Sequence, residues 1–282
     1  MKRFVLKEFL TETPLQKLRA TLSDVLSPYY SEQKELTEHP EPSEKLTLLP
    51  GEHLVYFNDA RPEHELLGDG YDKDHAPFTE SGTPIPFRHR LWLYGSIEHT
   101  APLHLHQYAR CHELVRTATD RVHVQRDIYS SNGQLCIREN RTLGYVQNDV
   151  NTRRFIRMRQ QTADTQTFHL TPTPVLVWRY SALMFNAHRI HWDWRYTTQQ
   201  ESYPELLVPG PLLATFMLQY AQSLHPHKSA SDFRNFTYRI LSSAWVGKQI
   251  ALNASMSNPQ AVWIEDLETH ALIARGSITF NS

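Results

Sequence analysis

A chain of 282 residues is long enough for one large domain or two of roughly 140 residues each, and in either case buries a substantial core. Its 29 basic and 30 acidic residues nearly cancel, which excludes nucleic-acid binding as a role written into the composition. No apolar run approaches the roughly 18–20 residues of a membrane span, and the two cysteines, Cys111 and Cys136, suit a reducing compartment better than a disulfide framework.

The N-terminus carries no secretory apolar region. Lys2, Arg3, Lys7, Lys17 and Arg19 make it basic, but Glu8, Glu12 and Asp24 spoil the pattern of a mitochondrial presequence. Leu15, Leu18, Leu22 and Val25 recur at helical spacing and predict a helix from about Leu15 to Leu26, stopped by Pro28. Residues 29–86 are rich in Pro, Glu, Asp and His and read as loop, with a candidate strand at His53–Phe57. From Trp92 the pattern changes to long strands: 108–119, 122–130 and 135–145, the last two joined by a turn at Ser130-Ser131-Asn132-Gly133. Val122, Val124 and Ile128 share one face by the period of two. Residues 151–165 are polar, carry Arg153, Arg154, Arg157 and Arg159, and read as a connection between an N-terminal half, 1–150, and a C-terminal half, 166–282.

The second half contains FNAHRIHWD, Phe185 to Asp193, which sets two histidines, an asparagine, an arginine and an aspartate in nine residues beside apolar segments. Such dense polar side chains need partners or a job. A helix is predicted from Pro211 to about Gln222, with Gly210 as N-cap and Pro211 as first helical residue. Leu212, Leu213, Phe216, Met217, Leu218, Tyr220 and Ala221 leave it almost no polar face, so it is buried. Strands follow at about 233–244, 249–257, 261–267 and 271–280. One buried helix followed by long antiparallel strands predicts a sheet wrapped around a helix.

Three readings of the motif compete. His188 and His191, three apart, could share a helical face and bind a metal, but no third ligand, HExxH or cysteine pair accompanies them. A structural reading has Asp193 capping the helix that follows and the histidines bonded to backbone carbonyls. A catalytic reading uses the helix opened by Pro209-Gly210-Pro211: its free N–H groups and dipole favour developing negative charge, and Gly210 lets a substrate approach the backbone. A histidine facing such a site is what proton abstraction beside a thioester carbonyl requires.

The stretch RYSALMFNAHRIHWDWRYTTQQESYPELLVPGPLLATFM resembles the MaoC-like, hotdog-fold enoyl-thioester hydratases. FNxHRIHxD followed by YPxLxxxGPLxA is similar to the double-hotdog branch, which holds fungal mitochondrial 3-hydroxyacyl-thioester dehydratases type 2 and bacterial mesaconyl-C4-CoA hydratases. PIPFRHRLWLYGSIEHTAPL, LCIRENRTLGY and AVWIEDLETHALIARGSITF agree with it, so the resemblance runs from about Leu49 to the end. It implies an α+β double hotdog whose second half carries the chemistry. It also implies reversible dehydration of (3R)-3-hydroxyacyl thioesters in mitochondrial type II fatty acid synthesis, without a cofactor or metal. The implied partner is an acyl carrier protein or a CoA thioester, with a homodimer open. Alternatives are a C4-dicarboxylyl-CoA hydratase and a non-catalytic acyl-thioester-binding protein. His191 is the implied base, with Asn186, His188 and Gly210 beside it and Arg189, Pro211 and Phe185 contacting substrate.

Two departures matter. The wider hydratase pattern has an aspartate five residues before the catalytic histidine and an asparagine between them; here those positions are Asn186 and His188. Asparagine orients a water or hydroxyl but carries no proton at neutral pH, so either His191 works nearly alone or His188 takes part. Pro209 stands where relatives often have histidine.

Overall fold

Among the described residues, ten strands pair antiparallel, neighbour to neighbour, into one sheet. The computed structural model describes residues 1–23, 25–26, 46–147, 164–225, 228–256 and 260–281. Pro28, Arg153, Arg154, Arg157 and Arg159 lie outside the described residues. The strands are β1 (Lys2–Phe9), β2 (His89–His99), β3 (Tyr108–Ala118), β4 (Arg121–Tyr129), β5 (Leu135–Val146), β6 (Gln166–Leu170), β7 (Phe233–Ile240), β8 (Ile250–Ala254), β9 (Gln260–Asp266) and β10 (Leu272–Phe280). Their order is β1-β3-β4-β5-β2-β7-β10-β9-β8-β6. The first five come from residues 2–146 and the last five from 166–280. The two sets meet at the β2–β7 pair, where Tyr94 faces Arg239 and Glu98 faces Asn235.

Among the described residues, three α-helices accompany the sheet: α1 (Thr13–Leu22), α2 (Pro174–Leu183) and α3 (Gly210–Ser223). As the apolar sequence demands, α3 is buried along most of its length and packs on β2, β7, β8, β9 and β10. Its N-cap is Pro209, one residue before the predicted Gly210, which itself takes the first helical turn. Leu15, Leu18 and Leu22 bury the inner face of α1, which packs on α2 and so ties the N-terminus to the second half.

The sequence reading needs three corrections. His53–Phe57 is no strand: Gly51 at φ +88° and the Glu52 carboxylate, accepting from Leu49 N–H at 2.8 Å, curl the chain into a 3₁₀ turn over Glu52–Val55. Leu54, Val55 and Phe57 are buried by that turn rather than by a pleat. Lys2–Phe9 is a strand paired along its length with β3, where the sequence reading noted only a basic N-terminus. Pro174–Leu183 is a helix started by Thr173, whose hydroxyl accepts from Leu176 N–H at 3.1 Å, and by a proline in the first turn.

The buried face of the first half carries a row of charges among its apolar residues. Glu113, Arg126 and Glu139 stand directly opposite one another on β3, β4 and β5, each less than 9% exposed. Arg126 lies 3.3 Å from Glu113 and 3.2 Å from Glu139, and its other terminal nitrogen donates to the Phe57 carbonyl at 2.6 Å. Arg141 holds Glu139 with two bonds of 2.8 Å, and His75 meets Glu113 at 2.8 Å. Burial alone would raise both carboxyls, but His75 and Arg126 hold Glu113 down at about 2, and Arg141, His53 and Arg126 hold Glu139 well below its ordinary value. Removing the shared partner of two buried arginines leaves charge uncompensated. Glu139→Gln should therefore cost about 3–5 kcal/mol, a loss of ~6 °C or more in Tm for a chain of this size. Differential scanning calorimetry checks it, and an unchanged Tm would mean the arginines need no carboxylate.

Candidate active site

The motif occupies the passage from α2 to α3. Phe185 ends α2 at φ +50°, a left-handed turn that reverses the chain. Asn186 Oδ1 then accepts from His188 N–H at 3.1 Å, a side chain mimicking a backbone turn. Arg189–His191 form a single 3₁₀ turn, and Leu207 N–H donates to the Ile190 carbonyl at 3.0 Å. Asp193 caps the next helical turn as expected, accepting from Tyr196 N–H at 3.0 Å. Its other oxygen takes Arg189 at 2.7 and 3.1 Å. Arg189 is thus tied down, with its guanidinium 4.3 Å from the Tyr196 ring centre.

His191 is buried, and its Nδ1 lies 2.9 Å from the Leu207 carbonyl oxygen. A carbonyl only accepts, so Nδ1 carries the hydrogen and Nε2 keeps a free lone pair. Burial lowers the imidazole to about 4, and the Leu207 bond opposes this only in part. His188 is also buried and held well below its usual value, first by desolvation, then by His191 and Arg90. The two rings meet edge to face at 5.3 Å. At neutral pH both are uncharged.

The first half closes the site with residues the sequence reading left in the 29–86 loop or at the start of β2. Gly70, at φ +81°, presses on the Ala187 carbonyl, where a β-carbon would collide with backbone. Asp69 accepts Arg189 N–H through its carbonyl at 2.8 Å and Arg90 Nε through its carboxylate at 3.2 Å. Arg90 stacks 4.1 Å over the Tyr71 ring. The only hint in the sequence is the Gly68-Asp69-Gly70 triplet, which marks a tight turn and nothing more.

Asn186, His188, His191, Gly210 and Pro211 all line one chamber of about 80 Å³. It adjoins a cavity of about 1100 Å³, and Tyr71, Trp92, Asn186 and Pro211 line both. Phe185 and Arg189 line the larger space. The N-terminus of α3, which no side chain caps, opens on the chamber. One expectation fails: the space beside the Gly210 α-carbon is not open to a ligand, because an added β-carbon would sit 2.5 Å from the Trp92 β-carbon. Among the described residues, no three histidine, cysteine or acidic side chains group to hold a metal.

Comparison with known proteins agrees with this architecture. The model of the family "Hydroxyacyl-thioester dehydratase type 2" matches residues 51–246. The mitochondrial hydroxyacyl-thioester dehydratase type 2 of Schizosaccharomyces pombe is 36% identical, over 98% of each chain. The mesaconyl-C(4)-CoA hydratase of Chloroflexus aurantiacus is 30% identical over 70% of this chain and 71% of its own. In fold, a crystal structure of a MaoC-like dehydratase from Phytophthora capsici superposes with a TM-score of 0.63 at 12% identity, covering 100% of this chain and 95% of that one. The architecture is a double hotdog, and the chain belongs to the hydroxyacyl-thioester dehydratase type 2 family.

Proposed function

We propose that this protein is a hydro-lyase that removes water reversibly from (3R)-3-hydroxyacyl thioesters to give trans-2-enoyl thioesters, in mitochondrial type II fatty acid synthesis with an acyl carrier protein as handle. The observation that carries the mechanism is a neutral, tautomer-fixed His191 in one chamber with Asn186 and the start of α3. The thioester acidifies its own α-carbon. His191 Nε2 takes the α-proton, and the electron pair passes to the thioester oxygen, which the Gly210 N–H and the helix dipole stabilise. The pair returns as the Cα–Cβ double bond while the Cβ–O bond breaks. The departing hydroxyl takes the proton from His191 and leaves as water, which restores the neutral ring. Asn186 spends Oδ1 on the turn, so its amide N–H groups are what it offers the leaving oxygen.

The cavity favours an acyl chain over a dicarboxylate. Arg61, Arg126, Arg141 and Arg189 line it, and each is already paired with carboxylates of this chain. A C4-dicarboxylyl substrate would need a cation with charge to spare. An apolar tail needs the surfaces of Phe4, Leu6, Phe57, Trp92 and Met184, which also line the cavity.

Loss of enoyl absorbance on incubation with crotonyl-CoA tests the activity itself; an unchanged spectrum would leave a binding protein. His191→Ala should lower kcat by on the order of 10² to 10⁴ with little change in Tm. A surviving activity would reject His191 as the base. Because burial holds His191 near 4, its basic form persists well below neutrality, and the acid limb of kcat/KM should fall at about pH 4 rather than 6.5. Stability obeys the same shift: the unfolded chain binds the proton near 6.5 and the folded one does not, so stability rises with pH between about 4 and 6.5. Rates are therefore read directly after a pH jump.

Asn186→Asp should stay active but slower, since a carboxylate also accepts the His188 N–H yet offers the leaving oxygen no donor; abolished turnover would show that the amide donor is indispensable. For the carrier, Arg153 and Arg154 suit an acidic protein and a phosphopantetheine arm. Reversing both charges should raise KM for acyl-carrier substrates at nearly unchanged kcat and spare short CoA substrates. Equal effects on both would refute docking there.

A further inference from the structure

Asn186 leaves the motif without the carboxylate of the wider hydratase pattern, yet a carboxylate stands at the site. It comes from the other half of the molecule. Asp69 is 7% exposed, and its Oδ2 lies 3.8 Å from His188 Nε2. That nitrogen is fully buried and has no hydrogen-bond partner among the described residues. Buried imidazole nitrogens are rarely left so, because desolvation without a bond is costly. The position of Asp69 is over-determined. Tyr71 N–H binds its Oδ1 at 3.0 Å, Arg90 binds its Oδ2, Arg189 N–H binds its carbonyl, and Gly70 fits against Ala187 only because it lacks a β-carbon.

We propose that Asp69 is a positioning residue for His188: it takes the Nε2 hydrogen, fixes the tautomer with a lone pair on Nδ1, and so makes His188 a second oriented imidazole beside His191. The proposal rests on the hydro-lyase reading above. At 3.8 Å the contact is longer than a hydrogen bond, and a closure of about 0.9 Å would complete one. Catalytic bonds commonly tighten in this way when substrate binds. His188 is faced by Asp69 and Tyr71 from the loop, Arg90 from β2, and His191 from its own turn. Arg90 balances the Asp69 charge, so the carboxylate orients a neutral ring instead of creating an imidazolium. Two neutral imidazoles with opposite tautomers, His191 with hydrogen on Nδ1 and His188 with hydrogen on Nε2, can hold the hydroxyl as it accepts its proton. No carboxylic acid is then required at position 186.

Asp69→Asn tests this, because it keeps the size and the acceptor oxygen but removes the charge. The ¹⁵N shifts of His188, assigned by comparison with His188→Gln, should report hydrogen on Nε2 in the wild type and a mixed tautomer in Asp69→Asn. Turnover of crotonyl-CoA should fall about 10- to 100-fold in kcat with KM less affected, the size of loss typical when an orienting partner is removed. The double variant should be no slower than His188→Gln alone, since Asp69 acts through that ring. Additive losses, or wild-type kcat with an unchanged tautomer in Asp69→Asn, would overturn the proposal and leave Asp69 as a brace for Arg90. A wild type that does not hydrate crotonyl-CoA while its His188 tautomer still follows Asp69 would sink the activity reading and keep the pair. Neither response would sink both.

Discussion

The missing β-carbon of Gly210 lets the two halves meet at the chemistry. Trp92, on the central strand β2, occupies the space that any other residue at 210 would fill. Its Nε1 donates to Tyr238 on β7 at 2.9 Å, and Arg141 on β5 lies 5.0 Å from its ring centre. One side chain thereby joins the first half's charged face, the junction strand of the second half and the opening turn of α3. It also forms a shared wall of the reaction chamber and the larger cavity. The close approach of strand and helix is what positions an uncapped helix terminus over a pocket instead of over solvent. The space left by the missing β-carbon, which the sequence suggests for substrate, is filled instead by Trp92, while Gly210 still lines the chamber.

The charged row on the first half follows from what that half must do. An apolar inner face invites a helix to cover it, as α3 covers the second half. Glu113, Arg126, Glu139 and Arg141 leave a face that cannot be closed by an apolar helix without stranding charge. The four charges of the row cancel and pair with one another, so it can border a cavity without demanding a charged ligand. The cost of desolvating four charges is offset by bonds at 2.7–3.3 Å among them. The space left open is the larger cavity, to which Glu113, Arg126 and Arg141 contribute.

Legibility in the sequence tracked the physics of each segment. β3, β4, β5 and α3 were readable to within a few residues: β3 and β4 alternate buried and open residues with a period of two, while β5 and α3 are long, largely apolar runs bounded by turn and Gly-Pro signals. β1 was not, since Lys2, Arg3, Lys7 and Glu8 leave few apolar residues and mark the segment as charged before they mark it as an outer strand. The His53–Phe57 turn failed because its apolar residues are buried by a glycine at positive φ, which spacing does not reveal. Of the residues lining the chamber, Asn186, His188, His191 and Gly210 lie close in the sequence and are legible there. Asp69, Tyr71, Arg90 and Trp92 are not, because they come from about a hundred residues away and only the β2–β7 pairing brings them near. Local pattern carries local chemistry; a partner delivered across a domain junction leaves no spacing to read.

The asparagine at 186 then has a physical rationale beyond the loss of an acid. A carboxylate buried beside His188 and His191 would favour their protonated forms and work against the desolvation that keeps His191 neutral. An amide carries no such field. It supplies the same acceptor to the His188 N–H, so the turn is preserved, and it adds two donors where a carboxylate has none. The one buried carboxylate near the histidines, Asp69, is balanced by Arg90 at 3.1 Å. The arrangement separates two tasks that an aspartate at 186 would combine. On the proposed mechanism, hydrogen-bond donation to the leaving oxygen stays in the motif, and the negative charge stands on the other half, where Arg90 holds it in check.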